Sequence, residues 1–316
     1  MTHEPTGTEA SGAVTAPSAF RLKPLQPLRR DGRLVNAMSV DVEDYFQVQA
    51  LAGVVDRNRW DEQPVRVERN TQVILDLFAA HGTRATFFTL GWVARRYPGL
   101  VRRIVDDGHE LASHGSEHRR ADEQTPVAFR QDVGDAKRLL EDLGGVAVRG
   151  YRAPTFSIGT TNLWAFDILA EEGYAYSSSV YPLRHDYYGM PSAPRFAFLP
   201  RPHHDFEEYP MTTVRFGGRN LPGGGGGFFR LLPYGVTRAL ISRVNATDQQ
   251  ATIFYFHPWE VDPDQPRFSG LRFKSRFRHY LNLGKTLSRL ERLTADFCWD
   301  RIDRVFLSPA QAAKGF

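Results

Sequence analysis

"RNTQVILDLFAAHGTRATFFTLGWVARRYPGLVRRIVDDGHELASH" runs from Arg69 to His114. Val73, Ile74, Leu77 and Phe78 recur at helical spacing, and the pattern stops at Gly82. "RATFFTLG" comes next as a compact run of β type. "WVARRYPGLVRRIVDDGH" reads as a helix, a Pro-Gly break and a second helix, and "ELASH" as a short strand. Helix and strand alternating at this pitch imply a mostly parallel sheet, either doubly wound or closed into a barrel.

The rhythm continues in both directions. Upstream, in "LVNAMSVDVEDYF", Met38, Val40 and Val42 alternate with Ser39, Asp41 and Glu43, as in a strand. Downstream, "TPVAFRQDVGDAKRLLEDLGG" is an amphipathic helix opened by a Thr cap with Pro next to it. "VAVRGYRAP" is another strand and "TTNLWAFDILAEEGY" another helix. After Tyr174 the pattern loosens. "RFAFLPRP" and "FEEYPMTTVRF" look extended, and "QATIFYFHPWE" is an apolar strand ending in a histidine. "RFRHYLNLGKTLSRLERLTADF" reads as one long helix. Gly223 to Gly227 form a run of five glycines without the spacing of a phosphate-binding loop, so a mobile or closely packed loop is expected there. Residues 1–32, rich in Thr, Ala, Pro, Ser and Gly, read as a disordered leader. One folded unit over 33–260 with a C-terminal helical extension over 261–316 is the expected organisation.

The bulk numbers exclude several classes. With 40 basic and 36 acidic residues the formal charge is only +4, and the arginines are scattered over helix faces, which argues against nucleic-acid binding. A single cysteine, Cys298, rules out a disulfide framework and a cysteine zinc site. No window approaches the roughly 18 apolar residues of a membrane span. The first residues lack the apolar core of a signal peptide, so a cytoplasmic location is expected.

In parallel α/β sheets the functional side chains gather at the carboxyl ends of strands. The expected strands here end on Asp41, Glu43 and Asp44, then on His114 and His118, then on Arg152, then on His257. A lone strand-end histidine is more often structural than a ligand. Two histidines four apart are a stronger sign of metal, because one helical turn brings both imidazoles to the same side. Asp41 and Glu43 share one strand face, and two carboxylates aimed alike need a metal or an arginine to neutralise one of them.

Taken in order, "SVDVEDYF", "HGSEH", "RGYRAPTFS" and "FYFHPWE" resemble the polysaccharide deacetylases of carbohydrate esterase family four, the NodB-homology group, over residues 34 to 260. "GGGGGFFRLLP", "FYFHPWEVDPDQP" and "RHYLNL" look like the subgroup found with exosortase-type exopolysaccharide loci. The resemblance implies a distorted (β/α)7 barrel and one divalent metal, usually zinc, held by His114, His118 and a carboxylate. Because Val42 stands after Asp41, that carboxylate is Glu43 or Asp44, with Glu43 favoured by strand alternation. The implied reaction removes N-acetyl groups from amino sugars of a polysaccharide or its precursor, in exopolysaccharide biosynthesis. Asp41 would be the base, Arg152 would hold Asp41, a backbone N–H near Thr155 would meet the oxyanion, and His257 would be the acid. Implied partners are an N-acetylated polysaccharide or oligosaccharide and, peripherally, polysaccharide-assembly machinery.

One departure matters. The family supports its acid histidine with an Asp, which in the related subgroup stands just before a Ser-Ser pair, where "YAYSSSVYP" has Ser177. A serine cannot raise a histidine's pKa by charge, so Asp167, Glu260 or another acid must substitute, or His257 is a weaker acid. Two other readings compete: an amidohydrolase of small cyclic amides or imides on the same fold, and a non-catalytic carbohydrate-binding protein. Tyr181, Tyr187, Tyr188, Trp259 and Trp92 are candidate sugar platforms or core residues.

Overall fold

A computed structural model describes residues 20–201 and 204–308. Its frame is seven parallel strands: β1 (Arg33–Val42), β2 (Thr86–Thr89), β3 (Glu110–Ser113), β4 (Gly150–Tyr151), β5 (Tyr176–Ser177), β6 (Glu207–Glu208) and β7 (Ile253–Phe256). They lie in the order β6-β5-β4-β3-β2-β1-β7, and every neighbouring pair is parallel. Consequently all seven carboxyl ends point to one rim, where the loops carry the polar residues singled out above.

The strands are joined on the outside by helices, among them α1 (Val67–Ala80), α2 (Pro98–Asp106), α3 (Pro126–Gly144) and α4 (Trp164–Glu171). Leu34 to Val42 are all buried, as expected of a central strand covered on both faces. The two faces of β1 go to different places. Met38, Val40 and Val42 pack outward with Phe78 of α1, Phe87 and Phe256. Val35 and Ala37 pack with Phe88, Ala112, Tyr176 and Tyr255 in a second core. Ser39 and Asp41 continue this second face by alternation, so Asp41 stands at its rim end.

The regular ladder stops short of a closed ring between β6 and β7, and the glycine run fills that gap. Met211 N–H donates to Val180 O at 2.9 Å, Gly223 N–H to Thr212 O at 3.0 Å, Tyr255 N–H to Gly224 O at 2.8 Å and Gly226 N–H to Tyr255 O at 2.8 Å. A Cβ on Gly224 would sit 2.9 Å from Ile253 O, and one on Gly225, where φ is +104°, only 2.2 Å from Tyr255 O. Of the two readings open for this loop, close packing holds, and glycine is required by backbone approach.

Three expectations need correction. Part of the expected leader is structured: Arg21–Leu22 pairs antiparallel with Leu199 and Phe198, and Arg29–Arg30 pairs with the start of β1. These segments find sheet edges despite their polar composition, while residues 1–19 lie outside the described part. The long C-terminal helix is two, α5 (Phe273–Tyr280) and α6 (Thr286–Asp296), separated by Asn282 in the left-handed region at φ 53°. The extension is also not purely helical. Cys298–Asp300 adds a parallel strand against the first half of β1, which weaves the tail into the sheet.

Candidate active site

At the rim, Glu43, His114 and His118 converge, with one ligand atom from each lying within 4.8 Å of the others. All three are buried. Glu43 comes directly after β1, its N–H turned back onto Asp41 O at 3.0 Å. His114 comes directly after β3, and its Nδ1–H donates to Arg152 O at 2.8 Å, which leaves Nε2 as a free lone pair. Burial above all pulls the His114 pKa down to about 4, so the ring stays neutral and fit to ligate. Glu43 Oε2 lies 2.7 Å from His118 Nε2. Burial alone would raise the Glu43 pKa, but His118 foremost outweighs it and holds the carboxyl at about 2. Two imidazoles and an ionised carboxylate form the donor set of a catalytic zinc-type site, and these residues could hold a metal.

The two histidines do not share a helical turn. Residues 114–118 are a bent loop with Gly115 at φ 76° and His118 itself at φ 51°. The loop is fixed from three sides. Gly91 and Trp92 N–H donate to Gly115 O and Ser116 O, Asp132 accepts from Ser116 N–H at 2.9 Å, and Arg57 donates to the carbonyls of Glu117 and His118. A non-glycine residue in the left-handed region costs on the order of 1–3 kcal/mol, and such strain concentrates at functional sites.

Asp44 points elsewhere. Its Oδ2 accepts from Arg66 and Val67 N–H at 2.6 and 2.9 Å and its Oδ1 from Tyr45 N–H at 2.8 Å, so it caps the start of α1. Burial, opposed by these N–H groups, raises its pKa to about 6. As the alternative metal ligand Asp44 is therefore excluded by its own hydrogen bonds, because α1 must bind its amides somewhere.

Asp41 meets Arg152 at 2.6 Å. Arg152 is wholly buried, stacked 4.1 Å above the Phe88 ring, and donates further to Ser39 Oγ, Ser178 O and Ser178 Oγ. The second Asp41 oxygen faces His257 Nε2 at 3.9 Å, and Glu43 Oε1 lies 3.4 Å from the same nitrogen. Thr155 comes three residues after Arg152 in the turn Pro154–Phe156, with φ 58°, and Phe156 is next at φ 51°.

His257 closes the cluster from β7, and its side chain, 17% exposed against 5% or less for Asp41, Glu43 and His118, is the group open to solvent. The acid behind it is Glu260. Glu260 Oε1 accepts from His257 N–H at 3.0 Å and lies 2.6 Å from His257 Nδ1, while Oε2 pairs with Arg230 Nε at 2.6 Å. Burial would depress the His257 pKa, but Glu260, then Glu43 and Asp41, reverse this and hold it up to about 9. Ser177 bonds to Ser179 Oγ instead, and Asp167 pairs with Arg201. Nothing in the spacing of Arg230 marks it in the sequence. Glu260 carried a usable signal, since "HPWE" has the cap-Pro-x-Glu pattern that returns a carboxylate to the cap residue. Of the aromatic candidates, Trp92 packs edge-on to Phe46 and Trp60 and is core, whereas Trp259 stacks on His257 with ring centroids 5.2 Å apart.

Residues 59–176 match the polysaccharide deacetylase family, and residues 178–307 match a domain of unknown function (DUF3473). A peptidoglycan-N-acetylglucosamine deacetylase of Bacillus cereus is 32% identical over 96 residues, 30% of this chain and 35% of that protein. A chitooligosaccharide deacetylase of Bradyrhizobium sp. is 31% identical over 112 residues, 35% of this chain and 48% of that protein. The chain thus spans less than half the length of these two relatives. A Mycobacterium smegmatis protein, solved as a candidate polysaccharide deacetylase, shares the fold with a TM-score of 0.56 at 17% identity, over 90% of this chain and 93% of that one. Residues 59–176 are thus similar to the polysaccharide deacetylase family, the NodB-homology group of carbohydrate esterase family four.

Proposed function

We propose that the protein is a metal-dependent polysaccharide N-deacetylase that releases acetate from N-acetylated amino sugars during exopolysaccharide assembly. The observation that carries this reading is the convergence of Glu43, His114 and His118 with Asp41 on one side and His257 close behind. Glu43, His114 and His118 would hold a divalent cation, zinc by the chemistry of the donor set, which would supply Lewis-acid polarisation of the amide carbonyl and a lowered pKa for water. Arg152 fixes one oxygen of Asp41, so the other oxygen is left to take a proton from the attacking water. The backbone N–H of Thr155, in a turn that begins three residues past β4, is assigned to the tetrahedral oxyanion. When the C–N bond breaks, the amine needs a proton, and His257 is built to carry one because Glu260 backs its Nδ1. Acetate and a free amino sugar leave. The setting in exopolysaccharide assembly rests on the glycine-run and "FYFHPWE" motifs, and the polysaccharide substrate class on the deacetylase relatives.

Metal content and acetate release from N-acetylglucosamine oligomers, measured on one sample, test this reading. The expected result is about one divalent ion per chain with acetate produced. Asp41→Asn should keep the ion and lose about 10²- to 10⁴-fold in rate, and His114→Ala should lose both ion and activity. A metal-loaded protein releasing no acetate, or Asp41→Asn at the wild-type rate, refutes it.

A further inference from the structure

α5 presents an exposed face that the deacetylase site does not use. Phe273 is 84% exposed and Phe277 47% exposed, and their rings stack with centroids 6.4 Å apart on one side of the helix. Large aromatics at i and i+4 ordinarily face a core. Here they face outward, flanked by cations: by helical angle Arg276 lies on one side of the pair and Lys274 and Arg278 on the other, with Arg272 at the helix start. Arg272, Lys274 and Arg276 are exposed and Arg278 is half-buried. No Asp or Glu occurs between residues 265 and 290. Among the described residues, the counter-charge paired with this helix comes from Asp186, which meets both Lys274 and Arg278.

Phe277, Lys274 and Arg278 also border a groove of about 280 Å³ whose other walls include Leu231, Trp259 and His279. Leu231 is itself 48% exposed, which extends the apolar rim away from α5. Trp259, the inner wall of this groove, stacks on His257. The exposed face therefore lies beside the mouth of the site.

We propose that α5 is a docking element for an anionic lipid surface, with Phe273 and Phe277 inserting at the headgroup boundary and Arg272, Lys274, Arg276 and Arg278 contacting lipid phosphates. Two observations favour a bilayer over a protein partner. Arg272 and Arg276 make one flank of the aromatic pair purely cationic, and on the other Lys274 and Arg278 outnumber their single partner Asp186, which suits an anionic plane. The apolar part is narrow and protruding, two rings on a short helix, and that suits insertion into headgroups better than the broad flat patch of a stable protein interface. Binding in this geometry would hold the site mouth against the membrane. The helix does not span the bilayer: among the described residues no helix is long and apolar enough to do so.

Co-sedimentation of the full-length protein with vesicles tests the proposal. It should bind vesicles containing phosphatidylglycerol, bind pure phosphatidylcholine vesicles at least tenfold more weakly, and be released by salt. Phe273→Ser/Phe277→Ser should abolish sedimentation. Arg272→Gln/Arg276→Gln should weaken it by roughly 30-fold, about fivefold per cation lost. Both variants should keep the wild-type thermal midpoint and metal content, so a folding defect would be visible as such. Equal binding to both vesicle types overturns the proposal. So does no vesicle binding by the folded wild type, including the case in which it forms a dimer that Phe273→Ser/Phe277→Ser dissociates.

Discussion

Two buried arginine–carboxylate pairs flank the site at the same 2.6 Å separation, Asp41–Arg152 and Glu260–Arg230, and they are put to opposite uses. Asp41 gives one oxygen to Arg152 and turns the other towards His257 Nε2. Glu260 spends both, one on Arg230 and one on the backbone and ring of His257. A buried pair of this kind is weak evidence for stability, because desolvation takes back most of the attraction. What distinguishes the two is where the second oxygen points: at the Nε2 side of His257, 3.9 Å away, in one case and at its backbone N–H and Nδ1 in the other. The supports differ as well. Arg152 comes directly after β4 inside the regular ladder, whereas Arg230 comes after the glycine run that bridges the ladder's gap. The side facing the base is built by ordinary β/α units. The side behind the acid hangs on close backbone contact.

That difference can be broken first at its scaffold. Gly225→Ala places a Cβ 2.2 Å from Tyr255 O at a backbone φ of +104°, and neither the strand nor the turn can yield cheaply. A loss of roughly 3 kcal/mol is expected, read as a lower denaturant midpoint, and the damage should centre on β7 and His257. Hydrogen exchange should then show β7 amides opening before those of β2 and β3. Uniform loss of protection, or a wild-type midpoint, would mean that the glycine run is no special support.

The charge of the acid side is tested next. In the proposed reaction His257 acts while protonated. Its protonated form is present below its folded pKa and disappears as pH rises through about 9. Replacing Glu260 by Gln removes the anion on Nδ1 and lowers that pKa, so the alkaline fall in kcat should begin at a lower pH. At neutral pH the rate should drop by about 10- to 100-fold. Asp41→Asn should depress the rate at every pH with a smaller displacement, because Asp41 ranks behind Glu260 in holding up the His257 pKa. An unchanged alkaline limb in Glu260→Gln would detach Glu260 from the chemistry.

Much of the base side was legible because strand-end logic needs only element order. Asp41, His114, Arg152 and His257 all stand at the ends of parallel strands, and parallel strands bring their carboxyl ends together whatever their detailed twist. The features that stayed hidden depend on single torsions and on contacts far apart in sequence. His118 reaches Glu43 from a left-handed residue in a bent loop, not from a helical turn, and a four-residue spacing does not distinguish the two. Arg230 reaches Glu260 across 30 residues through the geometry of the glycine run, which no periodicity encodes. Ser177, standing where the resemblance expected an acid, posed the right question, and its answer lay three residues past His257.

The smallest expected effect separates two neighbouring carboxylates on the base side. Glu43 and Asp44 are adjacent and both buried, yet Glu43 has histidine nitrogens around it, while Asp44 accepts from three backbone amides, its neighbour Tyr45 and, at the start of α1, Arg66 and Val67. Asp44→Ala leaves those amides without an acceptor and should cost about 1–2 kcal/mol of stability. Its metal stoichiometry should remain that of the wild type. Glu43→Gln should do the reverse, keeping the thermal midpoint of the metal-free protein while losing the ion. The two outcomes are set by what each oxygen already binds: a carboxylate whose lone pairs are engaged by backbone amides cannot also serve a cation without uncapping its helix. If Asp44→Ala lost the metal at an unchanged midpoint, the assignment of ligand and cap would have to be exchanged, and the loop after β1 would have to turn the other way.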